Sequence, residues 1–412
     1  MSSARPVPTR ARRTAAIADR HVLVFNGGSS SMKFGLFRPG AIDASGEQRL
    51  ARLASGEIDG IGAGSMAQCH AQSGTHNRVI EQRHRVATPV DAVIRIIRML
   101  DDSELPLPDA IGHRVVHGGP ALSEHCRIDE ESRALIEAAV DLAPLHMPGL
   151  LPCIDHLAER FPACPQFACF DTSFHAAMPE LAKRLPLSRA LHLAGVRRYG
   201  FHGLSCESIL RQFGDRLPTR VIIAHLGSGS SVTAVRAGRS VDTSMGMTPC
   251  GGVPMATRSG DLDPGVLLHL MRDPAWSLAR IEALVEHESG LLGLSGISGD
   301  LRRLHDAGAG NASAQLAVAI YCMAVAKAVA AMATVLEGVD LLIFTGGIGE
   351  NDPLVRSMIC AQLGWFGVAL YAPRNATAVN PLSGSGSRVR VLVMPSQEEQ
   401  QIALHVAALI DR

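Results

Sequence analysis

The chain of 412 residues lacks an excess of charge of either sign, with 39 Lys and Arg against 39 Asp and Glu. That balance excludes whole-chain attraction to nucleic acid or to an anionic membrane, so any anion site must be local. No Cys-x-x-Cys spacing occurs among the nine cysteines, and the closest pair is Cys164 and Cys169. This excludes the usual zinc and redox motifs and fits reduced thiols in a cytoplasmic protein. The first 20 residues hold five arginines and a single acid, Asp19, but no apolar run that would serve as a secretory signal. They are expected to form a disordered extension, with a transit peptide as the alternative. One apolar stretch, Leu316 to Leu336, has the length of a membrane span. It is alanine-rich, carries Lys327 and lies deep in the chain, so it reads as a buried helix and no membrane partner is expected.

What is present is enough apolar residue for large cores, 47% hydrophobic against 19% charged, in a chain whose length implies two domains. Three apolar, β-prone runs each feed a turn of glycine and small polar residues. These are Val22 to Phe25 into Asn26-Gly27-Gly28-Ser29-Ser30-Ser31, Val221 to Ala224 into His225-Leu226-Gly227-Ser228-Gly229-Ser230-Ser231, and Leu341 to Phe344 into Thr345-Gly346-Gly347-Ile348-Gly349-Glu350-Asn351. The first two resume as strands, Met32 to Phe37 and Val232 to Val235, and read as β-hairpins. Two such hairpins about 200 residues apart suggest a duplicated α/β domain. Helices are predicted at Val90 to Leu100, Glu130 to Val140, Leu150 to Arg160, Leu204 to Phe213 and Ser277 to Glu288. Strands are predicted at Ala110 to Val116, Gln166 to Phe170 and Val389 to Val393. The alternation argues for α/β layers, with the cleft between two halves as the default ligand site.

A phosphate needs backbone N–H donors close to its oxygens, and only small residues allow that approach. A single glycine turn is more often a plain hairpin loop, but three in one chain are enough to hold a nucleoside triphosphate from several sides. None contains G-x-x-x-x-G-K-[ST] or G-x-G-x-x-G, which excludes the usual P-loop and the dinucleotide fold. Arginine and histidine recur beside glycine in Gly112 to Gly119, Tyr199 to Gly203 and Ala256 to Asp261. A guanidinium clamps phosphate or carboxylate in a bidentate fork, whereas the plainer reading is a surface arginine. His113 and His117 have the spacing of zinc ligands on a helix, but the β-branched pair between them favours a strand and removes that reading. Asp171 and the pair Glu398-Glu399 each follow a predicted strand, where α/β active sites gather and where carboxylates hold magnesium.

Together these motifs resemble the acetate kinase family, within the actin, Hsp70 and sugar kinase superfold. The resemblance runs from about Val22 to the C-terminus. It rests on Asn26 to Lys33, Gly112 to Gly119, Phe170-Asp171-Thr172, Tyr199 to Gly203, Thr257 to Asp261, Ser298-Gly299-Asp300-Leu301-Arg302 and Thr345 to Asn351. It implies two duplicated actin-like (RNase H-like) α/β domains with a cleft between them. Residues 21–171, with a returning helix at 399–412, would form the first, and 172–398 the second, nucleotide-binding and dimerising domain. It also implies a homodimer, and reversible transfer of the ATP γ-phosphoryl group to acetate, with ATP/ADP as co-substrate and Mg2+ or Mn2+.

By the same resemblance, Arg114 and Arg258 hold acetate and the phosphoryl group, His202 donates to phosphoryl oxygens, and His146 orders the cleft. Asp171 and Glu398 position the metal, with Asn26, while Asn26, Ser29, Ser31 and Lys33 line the first domain's side. Val116, Leu145, Phe201 and Pro249 form the pocket for the acetate methyl group. The nucleotide falls to His225, Gly227, Ser228, Gly229, Asp300, Leu301, Arg302, Gly346, Gly347, Ile348, Gly349 and Asn351. The family pattern is departed from at Ser228, an asparagine in the family, at Leu204, Cys206 and Gly251, and in Ser396-Gln397-Glu398-Glu399. These departures bear on nucleotide affinity and rate. Two alternatives are carried: a propionate or butyrate kinase on the same fold, and a nucleotide-binding regulatory protein that has lost catalysis.

Overall fold

The computed structural model describes residues 20–410 apart from 29, 43–47, 63, 65, 74–77, 104 and 145. The expected N-terminal extension, Ser29 and Leu145 therefore lie outside the described residues. Two compact units are present. One is built from the chain up to Ser173 and from Gln397 onward, the other from Phe174–Ser396.

The first unit contains β1 (Val22–Gly27), β2 (Ser31–Ile42), β3 (Gln48–Asp59), β4 (Met66–Ser73), β5 (Arg78–Arg85), β6 (Ala110–Val115), β7 (Cys126–Arg127) and β8 (Gln166–Phe170). They form one sheet in the order β5-β4-β3-β2-β1-β6-β8-β7. The second unit contains β9 (Arg220–Leu226), β10 (Ser230–Arg236), β11 (Arg239–Thr243), β12 (Leu341–Thr345) and β13 (Arg390–Val393), in the order β11-β10-β9-β12-β13. The segment β3-β2-β1-β6-β8 repeats this second order. In both, an antiparallel meander is followed by two strands parallel to the first. The duplication suggested by two glycine hairpins is thus a duplicated sheet topology.

Strand alternation gives the first sheet two different faces. Leu23, Phe25, Met32, Phe34 and Ile111 are buried with helices Pro89–Asp101 and Leu150–Arg160. The other face is covered by helix Glu398–Leu409. A Cβ on Gly112 would come within 2.7 Å of Ile402 and Val406, so this close approach needs a glycine. In the second unit, helix Ala312–Leu336 packs against β9 and β10 through Val318, Tyr321, Val325 and Val329. The expected buried helix thus lies in the core by one side. Its opposite side leaves Leu316, Ile320 and Met323 at 59%, 36% and 38% exposure.

The third glycine turn does not resume as a strand. Gly346–Asn351 is a short helix that follows β12 directly and leads into helix Pro353–Gln362.

Candidate active site

In the first unit, the ends of β1, β6 and β8 and the start of helix Glu398–Leu409 bring five charged groups together around Asn26. Asn26 and Lys33 are register partners across the first hairpin, and Arg114 and Asp171 sit at the ends of the parallel strands beside it. Arg114 Nε donates to Asp171 Oδ2 at 3.0 Å, and its terminal nitrogens reach Asp171 and the Gly27 carbonyl. The Asn26 amide accepts from Arg114 at 3.4 Å and donates to Glu398 at 2.8 Å and Glu399 at 2.7 Å. Its two ends are thereby oriented by opposite charges. The two glutamates occupy the first turn of their helix, where the helix dipole favours anions.

Burial sets the electrostatics of this cluster. It works against the charge on Arg114, but Asp171 first, then Glu398 and Glu399, hold the guanidinium above its ordinary pKa. Glu399 is pushed up by burial and by repulsion from Glu398, against the pull of Lys33 and Asn26. Three carboxylates face two cations, so the fully ionised cluster carries one surplus negative charge. Its uncharged member, Asn26, adds an amide oxygen, which accepts from Arg114. A hard divalent cation takes that donor set, so the residues present fit magnesium. Glu399 is as close to Asn26 as Glu398 is, and the sequence reading assigned only Glu398. The consecutive acids were the available signal.

Val116 is buried just beyond β6. His146 lines a cavity in this unit together with Gly27, Gly28 and Ser31.

In the second unit, His202 has left-handed backbone angles (φ 58°) at the N-cap of helix Gly203–Arg211. Non-glycine residues adopt this conformation at a cost, and side-chain contacts hold it here. His202 Nδ1 is hydrogen-bonded to Ser231 Oγ at 2.9 Å, and the ring stacks on His225 with centroids 4.1 Å apart. His225 Nδ1 is hydrogen-bonded to Ser205, which in turn accepts from Ser396. Ser205, Ser231 and Ser396 were not singled out from sequence, since nothing about a serine reveals a histidine distant in the chain.

A Cβ on Gly229 would lie 3.2 Å from His202 Nε2 and 3.4 Å from Arg258. The second hairpin turn therefore sits directly against both side chains. Arg258 is buried and donates to the Pro249 carbonyl at 3.1 Å. Phe201 is buried, and its carbonyl binds His175.

The third turn lies beside the second. Gly346 has φ 78°, and a Cβ there would meet the Leu226 carbonyl at 2.6 Å and His225 Nε2 at 3.1 Å. Glu350 folds this turn by accepting from the N–H groups of Gly346 and Ser396, both at 3.0 Å. Gly347 and Asn351 are exposed, Ile348 is half-buried, and Gly349 is buried. Asp300 caps helix Leu301–Ala307 and pairs with the exposed Arg302 at 2.8 Å. Leu301 itself is in the hydrophobic core, so any ligand contact it makes is through its backbone.

Three of the departures are also placed. Leu204 and Cys206 are completely buried, so they act on packing rather than at a ligand. Ser228 is exposed at the hairpin tip.

The sequence matches the Acetokinase family over residues 21–404. An acetate kinase of Nitrobacter hamburgensis is 40% identical over 400 residues, covering 94% of this chain and 96% of that protein. A propionate kinase from Francisella tularensis superposes with a TM-score of 0.83 at 34% identity, covering 95% of this chain and all of that one. Porphyromonas gingivalis acetate kinase superposes with a TM-score of 0.79 at 36% identity over the same shares.

Proposed function

The chain belongs to the acetokinase family, and from that premise we propose that it transfers the γ-phosphoryl group of ATP reversibly to acetate, giving acetyl phosphate and ADP. The observation that carries the reading is the hydrogen-bonded cluster of Arg114, Asn26, Asp171, Glu398 and Glu399 at the strand ends of the first sheet.

Acetate has a carboxyl pKa near that of a side-chain acid, about 4.3, so at neutral pH it is already anionic and needs no general base. The barrier lies in bringing two anions together, which makes positive charge and alignment the main catalytic contributions. Arg114 is assigned to the carboxylate, its fork oriented by Asp171. Arg258 and His202 are assigned to the phosphoryl oxygens, with His202 held in one rotamer by Ser231. The turns at Gly227 to Gly229 and Gly346 to Gly349 would offer backbone N–H groups to the phosphates. Asn26, Asp171, Glu398 and Glu399 would hold Mg2+, which when bound neutralises phosphate charge.

A coupled assay for acetyl phosphate with ATP, acetate and Mg2+ tests the proposal. ATP binding without product over a range of metals would favour the regulatory reading.

One observation supports a second reading. The superposition with a propionate kinase is as close as that with an acetate kinase. Val116 is assigned to the pocket wall that decides between them, where a methylene is worth about 1–3 kcal/mol. Val116→Ala should raise kcat/KM for propionate relative to acetate, and an unchanged ratio would remove Val116 from the pocket. The homodimer is proposed to form through the exposed apolar side of helix Ala312–Leu336.

A further inference from the structure

The first sheet carries something on the face that the acidic cluster does not use. Phe25 and His113 are register partners on parallel strands, so their side chains share one face, while Asn26 and Arg114, one residue further along, share the other. On the Phe25 side, beneath helices Pro89–Asp101 and Leu150–Arg160, lies a cavity of about 230 Å³. Its walls include Phe25, Met32, His113, Leu150 and Cys153, and it is the cavity that His146 and Ser31 line beside Gly27 and Gly28 of the hairpin turn. A single water needs only about 10–15 Å³ of such space, so the cavity has room for a larger molecule.

Two histidines of the described residues line it, His146 and His113, and the hydrogen bonds of His113 define its state. Gln166 Nε2 donates to the Ile154 carbonyl at 3.0 Å, which leaves Gln166 Oε1 as the acceptor facing His113 Nε2 at 2.6 Å. His113 must therefore carry its proton on Nε2 and present a lone pair at Nδ1. Among the described residues no group donates to that nitrogen, and it is buried. Burial pushes the imidazole pKa down to about 4, so the ring is neutral at physiological pH. One ring face stacks on Phe25 and Nε2 is held by Gln166. The Nδ1 edge is what remains for the cavity.

We propose that this cavity binds a small neutral molecule with one N–H or O–H donor on a compact apolar body, the donor meeting His113 Nδ1. Among the described residues no Asp, Glu, Lys or Arg lines the cavity, so a charged ligand would lose its hydration there without an opposite charge to meet it. A purely apolar ligand would fill the space but leave the lone pair unmet. The turn between β1 and β2 is the wall shared with the cluster on the opposite face, so an occupant is placed to bias that turn. The binding event itself does not depend on the transfer reaction.

The test compares phenol with toluene, matched in shape and differing in the donor, by ligand-observed NMR titration of the full chain. Phenol should bind more tightly than toluene by about 2- to 12-fold, the factor expected of one neutral hydrogen bond. His113→Phe should abolish that preference. Cys153→Leu, which fills the cavity and keeps His113, should weaken both ligands. If His113→Phe does not fold, the wild-type comparison and Cys153→Leu decide. Absence of saturable phenol binding, equal affinity for the two probes, or phenol binding undiminished in Cys153→Leu would each overturn the proposal.

Discussion

Arg114 and Arg258 illustrate how little residue identity says about cost. Arg114 is half-buried against Asp171 and within the field of Glu398 and Glu399, whereas Arg258 is buried against carbonyl and thioether groups. A donor that stabilises transition-state charge is typically worth about 2.7–4 kcal/mol. Arg114→Ala and Arg258→Ala should each lower kcat by at least about a hundredfold, measured in the coupled assay on variants shown by thermal unfolding to be folded. Near-native turnover in either would return that arginine to a structural role. Ser228 is exposed, so the structure offers room for the family's asparagine. A hydrogen bond to a charged group is worth about 1.5–3 kcal/mol, part of which water recovers. Ser228→Asn should raise kcat/KM for ATP by a few-fold to about tenfold and leave KM for acetate nearly unchanged. Lower activity would mean that Ser228 is adapted to its surroundings. The buried imidazoles predict a pH dependence of stability. Burial holds His113 and His175 at pKa values of about 4, while an unfolded imidazole titrates near 6.5. Below pH 6.5 the unfolded chain gains protons that the folded chain does not, so stability falls as the pH drops toward 4. By pH 5 each group should have removed roughly 2 kcal/mol. A urea midpoint that stayed level from pH 6.5 to 5 would show the native imidazoles to be protonated.

Among the elements, the third glycine turn is braced by a side chain of the helix that follows it. Arg356, fully buried on helix Pro353–Gln362, donates to the carbonyls of Gly349 and Glu350, both at 2.9 Å, and to Asn375 through two further bonds. Burial depresses its pKa, with Asp352 opposing. Arg356→Leu would leave several buried acceptors unmet and should cost about 3–5 kcal/mol of stability. It should also raise KM for ATP more than it lowers kcat, because the turn it braces is the one assigned to the nucleotide. Kinetics and urea titration on the same variant test both parts. A stable variant with unchanged KM would show that the turn holds itself.

For the molecule as a whole, the exposed apolar side of helix Ala312–Leu336 carries the prediction of self-association. Ile320 and Met323 stand on that side, and an apolar face on an otherwise packed helix marks an interaction surface. The protein should sediment as a dimer, and Ile320→Arg combined with Met323→Glu should shift it to a monomer. A wild-type monomer at micromolar concentration would refute the dimer. A dimer unaffected by both substitutions would place the interface elsewhere.

The hairpins at β1–β2 and β9–β10, the strands at Ala110–Val115 and Gln166–Phe170, and the main helices of the first unit were determined by local pattern. Each is a short apolar run or a strong helical period, and such signals need no tertiary partner. Strands β3, β4 and β5 were not legible. In β4 the buried positions are Ala67, Cys69 and Ala71, small residues whose alternation with polar neighbours is weak, and pairing with β3 and β5 makes the strand. The site divides in the same way. Arg114, Asp171, His202 and Arg258 stood in recognisable motifs, and consecutive acids marked Glu398 and Glu399. The sharing of Asn26 between those acids, the Ser231 bond to His202 and the bracing of a turn by Arg356 were decided only by tertiary structure. Sequence determines which chemical groups are available and the local geometry of each turn, because those depend on neighbours along the chain. Which groups meet depends on contacts spanning tens to hundreds of residues, and only the folded sheet and its covering helices specify those.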